Sequence, residues 1–181
     1  MNRSRLKAVN SVADIPKSLR NTPVGELLMY HNLGKPFRKH DKARLLVCMC
    51  MDNRKQLNLP DNFAYILRTG GGNIRHGEFK MSYAIGVGGV RYAVMVAHDN
   101  CGMANLFAKK ELFVKGMMKN AGWARKKAQD YFATYAPLFE IGDEIDFTVA
   151  EARRLNFKYP KVKVMPLYYG IDGGKLYLIK K

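Results

Sequence analysis

The sequence predicts an α/β fold, in which a mainly parallel β-sheet is flanked by helices. Short continuous apolar runs occur at residues 44–51, 63–67, 91–97 and 162–168. Runs of this length suit strands that are buried on both faces, as in a parallel sheet. Segments with helical spacing lie between these runs, and such alternation is typical of α/β proteins.

Start and stop signals place the remaining elements. Thr22 and Pro23 are typical of a helix cap and a first helical position, and Val24, Leu27 and Leu28 then fall on one face. Residues 82–90, most of 104–139 and 143–157 are also predicted to be helical, and Gly173-Gly174 should turn the chain into a final strand at 175–179.

The chain of 181 residues fits one domain with two parts. Residues 1–43 are predicted to form an N-terminal helical arm, and residues 44–181 an α/β domain. The arm is too short to form a core alone. It must therefore pack on the main body or on a second subunit.

Composition and cysteine content favour a globular protein of a reducing compartment. Three cysteines make a poor disulfide framework. Cys48 and Cys50 are either buried free thiols, or one of them is a metal ligand. The N-terminal stretch is basic without an apolar segment, and no run of about 18 apolar residues occurs. We therefore expect a cytoplasmic location and no membrane partner.

The formal net charge is +16. A charge of this size favours contact with a polyanion or an acidic partner, although a solvated basic surface explains it as well. Both interpretations stay open at this point.

Reactive side chains follow the first and third predicted strands, and a glycine loop follows the second. Cys50 and Asp52 come after the first strand, and His98 and Cys101 come after the third. Ligands of parallel sheets bind at the carboxyl ends of the strands, so we expect these residues at one edge. Two thiolates and one imidazole suit tetrahedral zinc and leave a fourth position open, as in catalytic sites. A buried histidine beside a free thiol is the simpler alternative.

Asp52 and Arg54 are close enough in sequence to form a charge-assisted pair. The carboxylate could then accept a hydrogen bond from a metal-bound water, or it could move onto the metal. An ordinary salt bridge in a turn is the alternative. The glycines at 70–72 permit close approach of backbone to a ligand, although a plain tight turn explains them too.

The three motifs together resemble the β-class carbonic anhydrases. They are CMDNR at 50–54, RTGGGN at 68–73 and HDNCGM at 98–103, and the ending PLYYGIDGGKLYLI resembles the last strand pair of that family. The resemblance implies that Cys50, His98 and Cys101 bind Zn²⁺. It also makes Asp52 and Arg54 a catalytic dyad, with Asp52 a possible fourth zinc ligand in a closed state.

The same resemblance implies reversible hydration of carbon dioxide to bicarbonate by a zinc-bound hydroxide. Gly70, Gly71, Gly72 and Gly102 would line the substrate pocket. Thr69 and Gly70 replace the Asn and Ala that are usual in the family loop. Relatives that hydrolyse carbonyl sulfide or carbon disulfide share the ligands, so these substrates are alternatives. A non-catalytic zinc protein with a basic docking surface is a third possibility.

The proton released by hydration must reach solvent. His31, His40 and His76 could carry it, although a surface position is the simpler expectation for each.

The family resemblance also implies an oligomer built from dimers. In that family the N-terminal helices reach over a partner subunit, and the active site lies at the dimer interface. The predicted arm at residues 1–43 would have this role.

Overall fold

The computed structural model describes residues 3–180 and contains one six-stranded sheet. The strands lie in the order β1-β6-β5-β4-β2-β3. Their bounds are β1 Leu6–Lys7, β2 Leu45–Cys50, β3 Ala64–Thr69, β4 Tyr92–His98, β5 Lys163–Gly170 and β6 Lys175–Ile179.

The strands β2, β3, β4 and β5 are parallel to one another, whereas β6 pairs antiparallel with both β5 and β1. The predicted α/β fold with a mainly parallel sheet is therefore confirmed. The register places Cys50 opposite Thr69, and His98 opposite Tyr169. The carboxyl ends of these strands thus meet at one edge of the sheet.

Six α-helices accompany the sheet in the described part of the chain. Their bounds are α1 Lys17–Arg20, α2 Pro23–Leu33, α3 Phe79–Gly86, α4 Lys110–Ala121, α5 Arg125–Phe139 and α6 Glu144–Lys158. Thr22 caps α2 through its side chain, as the sequence predicts. Asp143 caps α6 by accepting hydrogen bonds from two backbone N–H groups.

Alternate side chains of the sheet face two separate cores. Val47 and Met49 face the core that contains the N-terminal arm. Leu46 and Cys48 face the opposite core, which α3 and α6 close. Both faces of β2 are therefore covered, which explains its continuous apolar sequence. Cys48 is a buried free thiol, and burial raises its pKa to about 12.

The N-terminal arm lies against the sheet of its own chain. Ile15, Leu27 and Leu28 are fully buried in the core beneath β2, β4 and β6. The Asn32 side chain bonds the backbone of Val9 and Leu176 and so ties α2 to β6. Contact of the arm with a partner subunit stays a prediction, as do the bounds 1–43 and 44–181. Residues 1, 2 and 181 lie outside the described residues.

Three details differ from the sequence prediction. The apolar run at 63–67 suggests a strand buried on both faces, but β3 is an edge strand and Tyr65 and Ile66 are exposed. The helix predicted at 82–90 is α3 and ends at Gly86, because Gly88 and Gly89 form the turn into β4. The two-residue strand β1 is too short to leave a periodic signal.

Within residues 3–180, no helix is both long and apolar enough to cross a membrane.

Candidate metal centre

The carboxyl ends of β2 and β4 bring three donor side chains together. Cys50 is the last residue of β2, His98 is the last residue of β4, and Cys101 follows in the next turn. All three are at least 95% buried. Their ligand atoms lie within 4.8 Å of one another, so a single ion can contact all three.

The donor set fits a tetrahedral zinc ion. The sulfur atoms of Cys50 and Cys101 are 3.9 Å apart. Two zinc–sulfur bonds of about 2.3 Å at a tetrahedral angle separate their sulfurs by about 3.8 Å. Within the described chain, this group contains three residues, which leaves the fourth position of a tetrahedral ion for water or substrate.

The orientation of His98 also fits a metal ligand. Its Nδ1 lies 2.8 Å from the carbonyl oxygen of Asp99, and an Nδ1–H donating to this oxygen fixes the tautomer. The buried Nε2 has no hydrogen-bond partner among residues 3–180, so its lone pair can bind a metal. Asp99 is itself held by the Tyr168 hydroxyl and the Ile171 N–H, each at 2.6 Å.

The two thiols do not have the same acidity. A hydrogen bond from the Cys101 thiol lowers the pKa of Cys50 below its ordinary value. Contact with His98 and the backbone N–H groups of Asp52 and Gly71 lowers this pKa further. The same shared proton raises the pKa of Cys101. Of the two thiols, Cys50 is therefore the one that ionises first, and the ionised thiol is the form that binds metals.

A buried lysine lies behind Cys50. Lys55 has no exposed surface, and its Nζ donates to the carbonyl oxygens of Cys50 and Asp52 at 3.4 and 3.2 Å. Burial lowers its pKa, whereas the negative charges of Cys50 and Asp52 raise it. Among the described residues, no carboxylate forms an ion pair with Lys55. The anions that compensate this cation are those of the centre itself.

Arg68 holds the same loop from β3. Its guanidinium donates to the carbonyl oxygens of Cys50, Asp52 and Lys55 at 3.3, 3.2 and 2.8 Å. Arg68 and Lys55 together therefore fix the turn that follows Cys50.

The loop that carries Cys101 is held by two further charged residues. Lys109 Nζ donates to the carbonyl oxygens of Gly102 and Ala104 at 2.8 and 2.9 Å. Glu144, at the start of α6, accepts a hydrogen bond from the Cys101 N–H at 3.2 Å. The sequence gives no sign of these contacts, because they join residues that are distant or in loops of irregular shape.

Asp52 and Arg54 form the predicted charge-assisted pair. Arg54 Nε lies 3.0 and 3.1 Å from the two carboxylate oxygens, and the Arg54 N–H donates to the first at 3.0 Å. These bonds hold the pKa of Asp52 well below its usual range. The second guanidinium nitrogen of Arg54 also donates to the Asn100 carbonyl, which joins the two metal loops. Asp52 is therefore an ionised acceptor in a fixed orientation.

An open depression of about 600 Å³ adjoins Cys50. It is lined by Cys50, Met51, Asp52, Asn53, Arg54, Gly102 and Met103.

The three loop glycines differ from one another in their surroundings. A Cβ at Gly70 would contact Met103, and a Cβ at Gly71 would lie 2.9 Å from Ile141. Gly72 lies against the backbone of Met49 and Cys50. Gly70 and Gly71 thus allow close packing around the centre.

The histidines outside the centre occupy three different environments. The sequence suggests surface positions for His31, His40 and His76. His76 is exposed, but His40 is buried beside Tyr30, and His31 is half-buried with its Nδ1 accepting from Asn58. The surface expectation is wrong for His40, because the loop before β2 folds back over α2.

No protein-family model matches the chain, and no curated protein sequence matches it. Solved structures do match. The β-carbonic anhydrase isoform I of Trichomonas vaginalis has a TM-score of 0.64 at 16% identity, covering 92% of this chain and 99% of that one. A carbonic anhydrase from Streptococcus mutans has a TM-score of 0.57 at 18% identity, covering 84% and 92%.

A carbon disulfide hydrolase has a TM-score of 0.54 at 17% identity, covering 76% of this chain and 79% of that one. The matching structures are of the same kinds of enzyme that the sequence motifs resemble. The likeness shows that this chain has the fold of these enzymes.

Proposed function

We propose that this chain is a zinc-dependent carbonic anhydrase that reversibly hydrates carbon dioxide to bicarbonate. The observation that carries the proposal is the buried group of Cys50, His98 and Cys101 beside the Asp52–Arg54 pair. Three protein donors with an open position suit a catalytic zinc ion, whereas structural zinc sites are closed by four protein ligands.

Zinc, when bound there, would lower the pKa of a coordinated water toward about 7 and so supply a nucleophile at neutral pH. Asp52 would accept a hydrogen bond from that water through a carboxylate oxygen and orient its lone pair toward the substrate. Arg54 donates three N–H groups to this carboxylate, which has about four acceptor positions, so one position is left for that water. Arg54 keeps Asp52 ionised and prevents it from turning toward the metal.

The depression beside Cys50 is the proposed substrate site. Gly102 lines it, and the absence of a side chain there leaves room for a small linear molecule. Gly70, Gly71 and Gly72 are not among the residues that line it, and they would contribute by shaping the loop that packs against Cys50 and Met103. Carbon dioxide has no charge, so shape and the position of the nucleophile matter more than charged contacts.

Hydrolysis of carbonyl sulfide or carbon disulfide is the second candidate. The matching carbon disulfide hydrolase fold supports it, and the same donor set serves both reactions. Both reactions need free thiols, which a reducing compartment such as the cytoplasm preserves. The proposal also includes a homodimer in which the arm crosses to the partner subunit, as the family resemblance implies.

The test is stopped-flow hydration of carbon dioxide by the zinc-loaded chain between pH 7 and 9, with the zinc-depleted chain as control. We expect turnover that needs zinc and rises with pH as more of the nucleophile forms. Zinc-loaded protein without turnover contradicts the proposal. Release of hydrogen sulfide from carbonyl sulfide or carbon disulfide would then identify the second candidate, and its absence would favour a non-catalytic zinc protein.

A further inference from the structure

The edge of the sheet opposite the metal centre carries a row of basic side chains. Lys39 and Lys42 precede β2, Arg91 precedes β4, and Lys161 and Lys163 lie at the start of β5. We call these five residues the amino-edge basic surface. The strands β2, β4 and β5 are direct neighbours and parallel, so topology places the three loops side by side.

The register gives the spacing of this row. Leu46 pairs with Ala93, and Tyr92 pairs with Lys163. Neighbouring strands are about 4.8 Å apart, so the row spans about 10 Å from β2 to β5. A backbone hydrogen bond of 2.9 Å from Lys163 to Arg91 joins two of the loops directly.

The cations of this surface face solvent with their charge available. All five side chains are exposed, and none takes part in an ion pair within residues 3–180. Nearby Arg38 and Arg44 share the single carboxylate of Glu26, which offsets one of their two charges. Asp41 is the acidic residue of the loop and offsets one charge.

The surface is concave in two places. A depression of about 380 Å³ is lined by Arg38, Lys39, His40, Asp41, Lys42 and Arg44. A second depression, of about 350 Å³, is lined by Arg91, Tyr92, Asn156, Pro160, Lys161, Val162 and Lys163. Concave basic sites concentrate the field and attract anions more strongly than a flat surface.

An exposed aromatic residue adjoins, in sequence, a residue that lines the second depression. Phe157 is 90% exposed at the end of α6, next to Asn156, which lines that depression. An exposed ring costs solvation free energy unless something covers it. Aromatic rings beside cations are the surface on which unpaired bases stack.

We propose that the amino-edge basic surface binds single-stranded nucleic acid. The phosphates would lie on the two basic depressions, and a base would stack on Phe157. The charge is of the right sign and comes from several loops in one row, and an exposed ring would favour unpaired bases. β4 separates this surface from the metal centre by about 20 Å, so both can act in one chain.

The test is the fluorescence anisotropy of a labelled single-stranded 20-nucleotide RNA titrated with the full zinc-loaded chain at 50 to 300 mM salt. The test variant carries Lys42→Gln, Lys161→Gln and Lys163→Gln. The matched control carries Lys110→Gln, Lys115→Gln and Lys119→Gln. The control residues are exposed lysines on α4, so both variants lose the same charge.

We expect the wild-type chain and the control to bind alike. The test variant should lose at least about tenfold in affinity at 100 mM salt, and its slope of log K against log salt should fall by about 2, since each lost phosphate contact on a single strand contributes about 0.7. Phe157→Ala should weaken binding about fivefold or more with the slope unchanged.

Three results would overturn the proposal. They are absence of binding by the wild-type chain at 50 mM salt, equal losses in the two triple variants, and an unchanged affinity in Phe157→Ala. Equal competition by a poly-glutamate peptide at matched charge would assign the surface to an acidic protein instead. None of these readouts depends on carbon dioxide hydration, so this proposal and the proposed activity can fail separately.

Discussion

Asp52 is the residue on which the proposed mechanism depends most directly. Both its oxygens are engaged by Arg54, and its side chain is largely buried beside the depression. We expect Asp52→Asn to bind zinc normally and to lose about 100-fold or more in kcat, because an amide can no longer act purely as an acceptor. Stopped-flow hydration together with zinc analysis measures both effects.

Asp61→Asn is the control for this substitution, since Asp61 is exposed and precedes β3 at the far edge of the sheet. It should retain full activity. Wild-type turnover in Asp52→Asn would remove the carboxylate from the mechanism.

Lys55 is buried and forms no direct ion pair within residues 3–180, and the nearby charges of Cys50 and Asp52 compensate its own charge. We expect Lys55→Met to weaken zinc binding about 10- to 100-fold, as loss of outer-shell contacts commonly does. The zinc-free chain should be as stable as wild type or more stable, because a buried cation is removed. Competition with a chelator and thermal unfolding measure the two effects.

Lys80→Met is the matched control, since Lys80 lies exposed on α3. It should change neither quantity. If Lys55→Met lowers the stability of the zinc-free chain and leaves the zinc affinity unchanged, Lys55 supports the fold and not the metal centre.

The sequence identifies the residues of the centre unequally well. Cys50, His98 and Cys101 occupy short motifs at strand ends, where chemistry and position are both visible. From the sequence alone, Lys55 would be assigned to an exposed loop position, because only the tertiary structure buries it. Glu144 is 43 residues from the Cys101 N–H that it accepts from, and no local pattern marks such a contact.

The glycine loop after β3 is constrained by its backbone angles, by its packing and by its contact with the metal centre. Gly71 has φ 62°, and a Cβ there would lie 2.9 Å from Ile141. Its N–H also helps to lower the pKa of Cys50. Gly71 therefore has three roles: it adopts a left-handed backbone conformation, it allows close packing, and its N–H acts on the charge of Cys50.

Gly71→Ala should destabilise the chain more than Gly142→Ala. Gly142 has φ 62° as well, but nothing lies within 4 Å of a Cβ there. The control should cost about 1–2 kcal/mol for the backbone angle alone, and Gly71→Ala about 1–3 kcal/mol more for crowding. Denaturant unfolding of both variants gives the difference, and equal losses would show that Ile141 moves aside.

A half-buried histidine near the end of α2 makes the free energy of unfolding depend on pH. His31, near its end, contacts the ring of Tyr169 and accepts from the Asn58 N–H. Burial, and secondarily the charge of Lys175, lowers the pKa of His31 to about 4. The unfolded chain keeps a value of about 6.5, so it binds more protons at intermediate pH. The contribution of His31 is complete above about pH 6.5 and is lost as the pH falls toward 4.

His31→Gln should therefore reduce the loss of unfolding free energy between pH 7.5 and 4.5, by on the order of 2 kcal/mol. His76→Gln, at an exposed position, should leave the wild-type pH dependence unchanged. Denaturant unfolding at the two pH values measures the effect. The same acid sensitivity in His31→Gln and wild type would show that His31 protonates without disturbing α2.

Elements with strong local signals were predictable, and the others were not. The strand β2 has a continuous apolar run because both its faces are covered. The run in β3 looks similar, but an apolar sequence does not tell whether a strand has one neighbour or two. The helix α3 starts earlier than predicted. Its start was missed because Glu78, at the N-cap position, makes no side-chain cap bond and gives no start signal in the sequence.

At the scale of the whole molecule, the parallel sheet separates the metal centre from a group of exposed cations. Its carboxyl edge gathers the thiols, the imidazole and the Asp52–Arg54 pair, and its amino edge gathers exposed cations from three loops. The sequence predicts the first edge from strand-end motifs. It shows the net charge of +16 but not its arrangement, which depends on the strand order.

The most direct measurement is zinc K-edge X-ray absorption on the purified zinc-loaded chain. The account predicts one zinc per chain, with two sulfur ligands at about 2.3 Å, one histidine nitrogen at about 2.0–2.1 Å, and one further oxygen ligand that completes a tetrahedral shell. A shell without two sulfurs, a fourth ligand from a cysteine or histidine, or no stoichiometric zinc would contradict an open centre formed by Cys50, His98 and Cys101.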